Sequence, residues 1–297
     1  MGKLRPLKKG SCIGIAAPAG PISRPRFLRG VRNLKRAGFS VSYSRGIFSQ
    51  NGYLAGDDDR RSRELGKLLN DPRTDAILFA RGGYGTQRLL PFLKKTRPKI
   101  VVGFSDLTVL LATLWKRWGI PTLYGPMVAT QLTKKRVVTR LKKALSDPRW
   151  FQMHPFSARK TFRGGRATGR LLGGCLTLFV SLIGTPYDVD TTGSILFLED
   201  VDEPPYVVDR MMTQLEQAGK LKGVRGIILG TFRLKKKLFP SEIEKVFRER
   251  LRNFKGPVLW GTRFGHCSNP EMVPFGGVGR IQGKKLIIEK GIFDVQI

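Results

Sequence analysis

Histidine is almost missing from this chain: His154 and His266 are the only two. Any chemistry that needs an imidazole near neutral pH must use one of them. Cysteine is nearly as scarce. Cys12, Cys175 and Cys267 make an odd count with no CxxC spacing, which excludes a disulfide scaffold and recognisable zinc patterns. Three thiols in a reducing compartment are expected. No apolar run reaches the length of a membrane-spanning helix. Behind the basic start MGKLRPLKKG, the stretch Cys12 to Ala17 is too short for a secretory signal, and Gly20 and Pro21 soon follow it. A soluble, cytoplasmic protein is the expectation. Acidic residues are few, 22 against 54 Lys and Arg, for a formal charge of +32. Such a surface attracts polyanions: nucleic acid, anionic lipid or an acidic cell-wall polymer. The surplus is spread along the chain, densest from Arg88 to Arg170, with no arginine-rich tail.

What is present is a repeating order of apolar strands and amphipathic helices. Strands are expected at Ser11 to Ala17, Phe39 to Tyr43, Asp75 to Ala80, Ile100 to Phe104 and Pro121 to Tyr124. Helices fall between and after them at Arg26 to Ala37, Arg60 to Leu69, Thr86 to Leu93, Leu107 to Trp118 and Lys134 to Leu145. This alternation predicts a mostly parallel sheet with helices on both faces. From Ser146 to Thr168 prolines and glycines break the pattern, which reads as a crossing between domains. The second half carries the glycine-rich stretch Gly169 to Leu182, strands at Ser194 to Leu198, Arg225 to Phe232 and Pro257 to Trp260, and helices at Tyr206 to Ala218 and Ser241 to Leu251. Ser241 followed by Glu244 fits a capping box. From Met272 onward the alternation predicts a small antiparallel meander.

In a parallel sheet, functional groups collect beyond the carboxyl ends of the strands. Ser105 stands on such a turn, between a buried strand and a helix whose first N–H groups face the same space. That placement suits a nucleophile, and a serine or Asp106 there also suits a helix cap. The loop Arg81-Gly82-Gly83-Tyr84-Gly85 follows another strand. It lacks the P-loop ending and the GxGxxG spacing, so an oxyanion hole, a phosphate cradle and a tight turn all fit it. His266 lies in the glycine-bounded GTRFGHCSNP after a strand, whereas His154 lies beside Pro155 in the irregular crossing. Glu199 ends a buried strand, where a carboxylate can orient an imidazole or pair with one of many cations. The order Ser, Glu, His occurs in α/β-hydrolases, but no second glycine follows Ser105 as their elbow requires.

Taken together, the motifs resemble those of the LD-carboxypeptidases, serine peptidases that include murein tetrapeptide carboxypeptidases and microcin C immunity peptidases. The resemblance runs through Gly14-Ile15-Ala16-Ala17-Pro18, Arg81 to Gly85, Gly103-Phe104-Ser105-Asp106, Gly173-Gly174-Cys175-Leu176, Gly184-Thr185-Pro186-Tyr187, Leu198-Glu199-Asp200, Tyr206 to Arg210 and Gly265-His266. The family usually has Asn where Cys175 stands and Ser near Ala19. The resemblance implies Ser105 as nucleophile, His266 as general base and acid, and Glu199 as orienting carboxylate. It implies backbone N–H groups near Gly82 or Gly83 and of Asp106 as the oxyanion hole. Arg81 is a candidate for the substrate carboxylate.

The expectations are therefore these. The fold is α/β: an N-terminal Rossmann- or flavodoxin-like parallel-sheet domain (1–150), a linker (151–168) and a smaller β-rich C-terminal domain (169–297). The resemblance implies hydrolysis of the L,D-amide of murein tetrapeptide with release of D-Ala, no metal or other cofactor, and a homodimer. Three other readings stay open: a microcin C-type amidase acting on peptidyl-nucleotides, a non-enzymatic nucleic-acid or polyanion binder, and a degenerate family member that binds muropeptide without cleaving it. No specific nucleic-acid partner is expected, because no aromatic-basic RNA-binding motif occurs.

Overall fold

Short buried runs set the inner strands of the first sheet, and a largely exposed strand, Ser40–Tyr43, forms one edge. The strands are β1 (Cys12–Ala16), β2 (Ser40–Tyr43), β3 (Ala76–Phe79), β4 (Ile100–Gly103) and β5 (Thr122–Tyr124). They lie parallel in the order β5-β4-β3-β1-β2. β3 and β4 are buried along their whole length, as a sheet covered on both faces requires. The computed structural model describes residues 3–235 and 237–294. The covering helices are α1 (Arg24–Arg36), α2 (Asp58–Asn70), α3 (Thr108–Trp118) and α4 (Lys135–Ser146). Asp57 caps α2 by accepting the Arg60 N–H at 2.7 Å, and Asp58 and Asp59 add charge that suits its N-terminal dipole. The segment after β3 is 3-10 rather than α-helical over Gln87–Phe92, because Pro91 inside it cannot donate an i→i−4 bond.

Among the described residues the second sheet has nine strands, so it is the larger by strand number. After the short α5 (Trp150–Met153) come β6 (Phe156–Ser157), β7 (Lys160–Arg163), β8 (Arg166–Cys175), α6 (Leu176–Val180), β9 (Ser194–Val201), α7 (Pro205–Gln217), β10 (Gly226–Leu234) and β11 (Lys237–Leu238). Then follow α8 (Ser241–Arg250), β12 (Val258–Trp260), β13 (Val273–Phe275), β14 (Val278–Gln282) and β15 (Lys285–Lys290). The order is β6-β15-β14-β8-β9-β10-β12-β7, with β11 on β10. β8, β9, β10 and β12 run parallel, and the rest pair antiparallel.

Three details differ from the reading of the sequence. The irregular stretch expected as a linker contributes β6, β7 and the start of β8 to the second sheet; Pro148 and Pro155 flank α5, and Gly164 and Gly165 connect β7 to β8. The expected C-terminal meander is split. β14 and β15 form it, whereas β13 crosses back and pairs antiparallel with β5, joining Val273 to Tyr124 and Phe275 to Thr122. Helix α8 has no capping box: Pro240 precedes it, and the Glu244 carboxylate pairs instead with Lys160 at 2.9 Å and Arg248 at 3.0 Å. All three cysteines are free thiols. Among the described residues, no helix is long and apolar enough to cross a membrane.

Candidate active site

The chain leaves β4 through Phe104 in extended conformation and enters Ser105 at φ +62°. A left-handed L-residue costs about 1–2 kcal/mol, so something must hold it. Two hydrogen bonds do. The Ser105 N–H donates to the Tyr124 phenol oxygen at 3.3 Å, and the Ser105 carbonyl accepts from Thr108 Oγ1 at 2.7 Å. Gly103 makes room for the turn, since a Cβ there would meet the Phe79 ring at 2.8 Å and Leu107 at 3.0 Å. The serine hydroxyl is thereby held beyond the carboxyl end of β4, ahead of α3. One 3-10 turn, Ser105–Leu107, intervenes.

The glycine loop after β3 passes directly over this hydroxyl. A Cβ on Gly82 would stand 3.1 Å from Ser105 Oγ and 3.5 Å from the Asp106 nitrogen. Asp106 is buried, and its Oδ2 accepts the Thr86 N–H at 2.9 Å, tying the far end of the loop to the serine turn. Burial raises the Asp106 pKa, against the hydrogen bonds from Thr86 and Gly85 and the nearby Arg61 charge. Gly82 and Asp106 are thus gathered around Ser105, whereas Gly83, next along the loop, packs against Gly20. The Ser105 N–H is taken by Tyr124, which leaves the N–H groups of this loop and of Asp106 as the candidates for an oxyanion hole.

The imidazole arrives from the second sheet. β12 ends at Trp260, and Gly265 at φ +82° turns the chain so that His266 faces the serine. His266 Nε2 lies 3.1 Å from Ser105 Oγ, and its Nδ1 lies 2.8 Å from Glu199 Oε2. The same carboxylate oxygen accepts the His266 backbone N–H at 2.9 Å. A Cβ on Gly265 would occupy the place of that carboxylate, so only glycine permits the double bond. The Phe104 ring packs edge-on against the imidazole, with centroids 4.9 Å apart.

Glu199, near the carboxyl end of β9, is wholly buried. Its second oxygen accepts the Tyr124 hydroxyl at 2.6 Å. Burial and the Glu199 charge push the Tyr124 phenol well above its ordinary pKa, which keeps it a donor. For His266, burial favours the neutral form, but the charge and hydrogen bond of Glu199, with Asp200 behind, outweigh it and raise the pKa above 6.5. Asp200 itself is raised to about 6 by burial and by the adjacent Glu199, against hydrogen bonds from Thr177 and Val201. A buried carboxylate, an oriented imidazole and an exposed-side hydroxyl in this order form a proton relay able to turn serine into a nucleophile.

Other sequence candidates fall as follows. His154 is engaged elsewhere: its Nδ1 lies 2.7 Å from the Trp150 carbonyl oxygen, and its ring packs on Trp150. Arg81 borders the loop, exposed, with its guanidinium donating to the carbonyls of Gly82 at 3.1 Å and Pro21 at 3.2 Å. Cys175, where the family usually has Asn, is buried against Asp200, its Sγ 3.4 Å from Oδ1. Tyr124 escaped the sequence reading, as did Thr108, whose hydroxyl also accepts the Cys175 N–H at 3.1 Å. The one available signal for Tyr124 was a phenol at the carboxyl end of an otherwise apolar strand. Among the described residues, no group of His, Cys, Asp and Glu is arranged to hold a metal ion.

Comparison with known proteins gives a consistent match. Residues 13–125 match the model of the LD-carboxypeptidase N-terminal domain, and residues 168–281 that of the C-terminal domain. A probable murein peptide carboxypeptidase of Bacillus subtilis (strain 168) is 34% identical, over 98% of this chain and 95% of that protein. The crystal structure of muramoyltetrapeptide carboxypeptidase from Oxalobacter formigenes superposes with a TM-score of 0.83 at 28% identity, covering 96% of this chain and 100% of the other. An MccF-like protein from Bacillus anthracis str. Ames shares the fold, with a TM-score of 0.86 at 22% identity over 96% of this chain and 98% of its own.

Proposed function

Since this chain belongs to the LD-carboxypeptidase family, we propose that it is a serine peptidase removing the terminal D-Ala from murein tetrapeptide, in cytoplasmic recycling of cell-wall peptides. The observation that carries this reading is the continuous run of contacts from buried Glu199 through His266 to Ser105, at 2.8 and 3.1 Å.

In this reading Ser105 Oγ attacks the carbonyl carbon of the L,D-amide while its proton passes to His266 Nε2. The tetrahedral oxyanion is met by N–H groups of the Gly82–Gly83 loop and of Asp106; such donors are worth roughly 3–4 kcal/mol each in enzymes where one has been removed. The C–N bond then breaks, and His266 returns the proton to the leaving D-Ala amine. Water, deprotonated by the same imidazole, attacks the acyl-serine; the ester bond breaks and Ser105 regains its proton. Glu199 holds the Nδ1–H tautomer through its Oε2, 2.8 Å from Nδ1. The leaving residue's free carboxylate is read by Arg81. The wide positive field of the chain favours an anionic muropeptide over a neutral one.

The test is mass spectrometry of the purified protein with murein tetrapeptide, beside Ser105→Ala. Loss of one D-Ala residue with the native protein and none with the variant supports the reading. Cleavage that persists in Ser105→Ala removes the proposed nucleophile. No cleavage by either protein removes the substrate assignment.

A further inference from the structure

Beside the glycine loop lies an open depression of about 640 Å³, lined by Gly20, Pro21, Tyr53, Arg81, Gly83 and Tyr84. It adjoins the candidate nucleophile, because Gly83 follows the residue that covers Ser105 Oγ. Two of its walls are unusual for a surface. Tyr53 and Tyr84 are 65% and 54% exposed, and their rings meet edge to face with centroids 5.7 Å apart. Large rings left in water forfeit their burial energy, and a paired set beside a reactive group is the kind of surface that a ligand covers. Both rings stand on fixed backbone. Tyr53 sits on the Asn51–Leu54 turn, next to Ala55, whose N–H donates to the Ala19 carbonyl at 2.8 Å. Tyr84 sits in the loop held by the Thr86–Asp106 bond.

The third wall is a preset cation. Arg81 Nε and Nη1 are occupied by the carbonyls of Gly82 and Pro21, while Nη2 lies 3.9 Å from the Cβ position of Gly83. No carboxylate pairs with this arginine among the described residues. An exposed guanidinium pinned by two carbonyls, with one edge open to a cavity, has already lost the rotamer freedom that binding an anion would cost. In a substrate cut at its last peptide bond, the free carboxylate stands one residue, about 4 Å, from the reacting carbonyl. Arg81 Nε donates to the Gly82 carbonyl at 3.1 Å, and the Gly82 Cβ position lies 3.1 Å from Ser105 Oγ, so the guanidinium borders the segment that covers the nucleophile.

We propose that this depression is the subsite for the leaving D-residue, with its carboxylate on Arg81 and its side chain against Tyr53 and Tyr84. The inference rests on the peptidase reading above and extends its substrate class. The cavity offers far more room than a methyl group fills, so the enzyme accepts terminal D-residues with large apolar or aromatic side chains and prefers them to D-Ala.

The experiment compares kcat/KM of the full-length protein on synthetic tetrapeptides ending in D-Ala, D-Met and D-Phe, and on the D-Phe peptide with its terminus amidated. The native protein is expected to cleave the D-Phe peptide better than the D-Ala peptide and to discriminate strongly against the amide. Tyr53→Ala and Tyr84→Ala are expected to lower the D-Phe to D-Ala ratio by roughly tenfold, the weight of an aromatic contact. Tyr84→Phe, which keeps the ring, retains that ratio. Arg81→Gln is expected to raise KM for the acid and abolish discrimination against the amide. Cleavage of D-Ala alone, or an unchanged ratio in the tyrosine variants, overturns the subsite and leaves the peptidase reading standing. Failure to cleave any of the peptides overturns both.

Discussion

The Tyr124 phenol donates to Glu199 Oε1 at 2.6 Å while accepting the Ser105 N–H at 3.3 Å. One buried hydroxyl thus ties the backbone of the hydroxyl-bearing turn to the carboxylate that orients the imidazole. Tyr124→Phe keeps the ring packing and removes only this link. The cost in stability is expected at about 1.5–3 kcal/mol, that of a buried hydrogen bond to a charged group, measured by urea unfolding. The pH profile separates a positioning role from a structural one. Without the phenol, the Glu199 charge acts more fully on His266 and raises its pKa further. Activity requires neutral His266, so the acidic limb of kcat/KM should move to higher pH.

Asp200 supplies the opposite shift. Its charge contributes to raising the His266 pKa, so in Asp200→Asn the acidic limb should move to lower pH. Stability should change with pH as well. Asp200 is raised from 3.8 to about 6 in the folded chain, so the folded state holds the proton more tightly than the unfolded one. Its contribution to stability therefore declines as pH rises from near 3.8 to near 6, by about 3 kcal/mol. The slope difference between native protein and Asp200→Asn across pH 4 to 7, read by chemical denaturation, measures that loss together with the accompanying shift of His266. For His266 the raised pKa contributes stability below its unfolded value that is lost as pH rises through the folded one.

Gly265 is expected to tolerate no side chain. Alanine there takes an unfavourable positive φ and displaces the Glu199 carboxylate. Gly219 gives the control, with φ +71° and nothing within 4 Å of its Cβ position. Gly219→Ala should cost about 1–2 kcal/mol and leave activity intact. Gly265→Ala should cost more in the same denaturation assay and abolish turnover.

Ser105 carries strain that glycine would relieve. Ser105→Gly and Ser105→Ala should both be inactive. The glycine variant should be the more stable of the two by about 1–2 kcal/mol, since alanine retains the left-handed penalty at φ +62°. Paired thermal unfolding curves check the difference.

Much of this site could be read from the chain alone because its polar members are conspicuous. Ser105 interrupts an apolar strand-to-helix passage, Glu199 ends a buried strand, and His266 is one of two histidines. Tyr124 was hidden because an aromatic at the end of a buried strand looks like core, and its hydroxyl becomes informative only when Glu199 stands beside it. The partner of β13 was hidden for a related reason. Alternation identifies a strand but not the neighbour it pairs with, and Val273–Phe275 chooses β5 over the adjacent β14. The Ser241–Glu244 spacing misled because Lys160 and Arg248, one distant and one a helical turn away, outcompete the backbone for the Glu244 carboxylate.

The crossing of β13 has a consequence for how this chain can be divided. The segment bearing His266 leaves the second sheet at β12 and re-enters the first as a neighbour of Tyr124. A fragment ending after α4 would lack that last strand, leaving the backbone groups of β5 unpaired along one edge. Such an edge invites pairing with other chains. The two halves are therefore not modules that could be exchanged, fused or expressed separately at their midpoint. A viable cut must leave β5 and β13 in the same molecule, which makes the chain modular in sequence but indivisible in assembly.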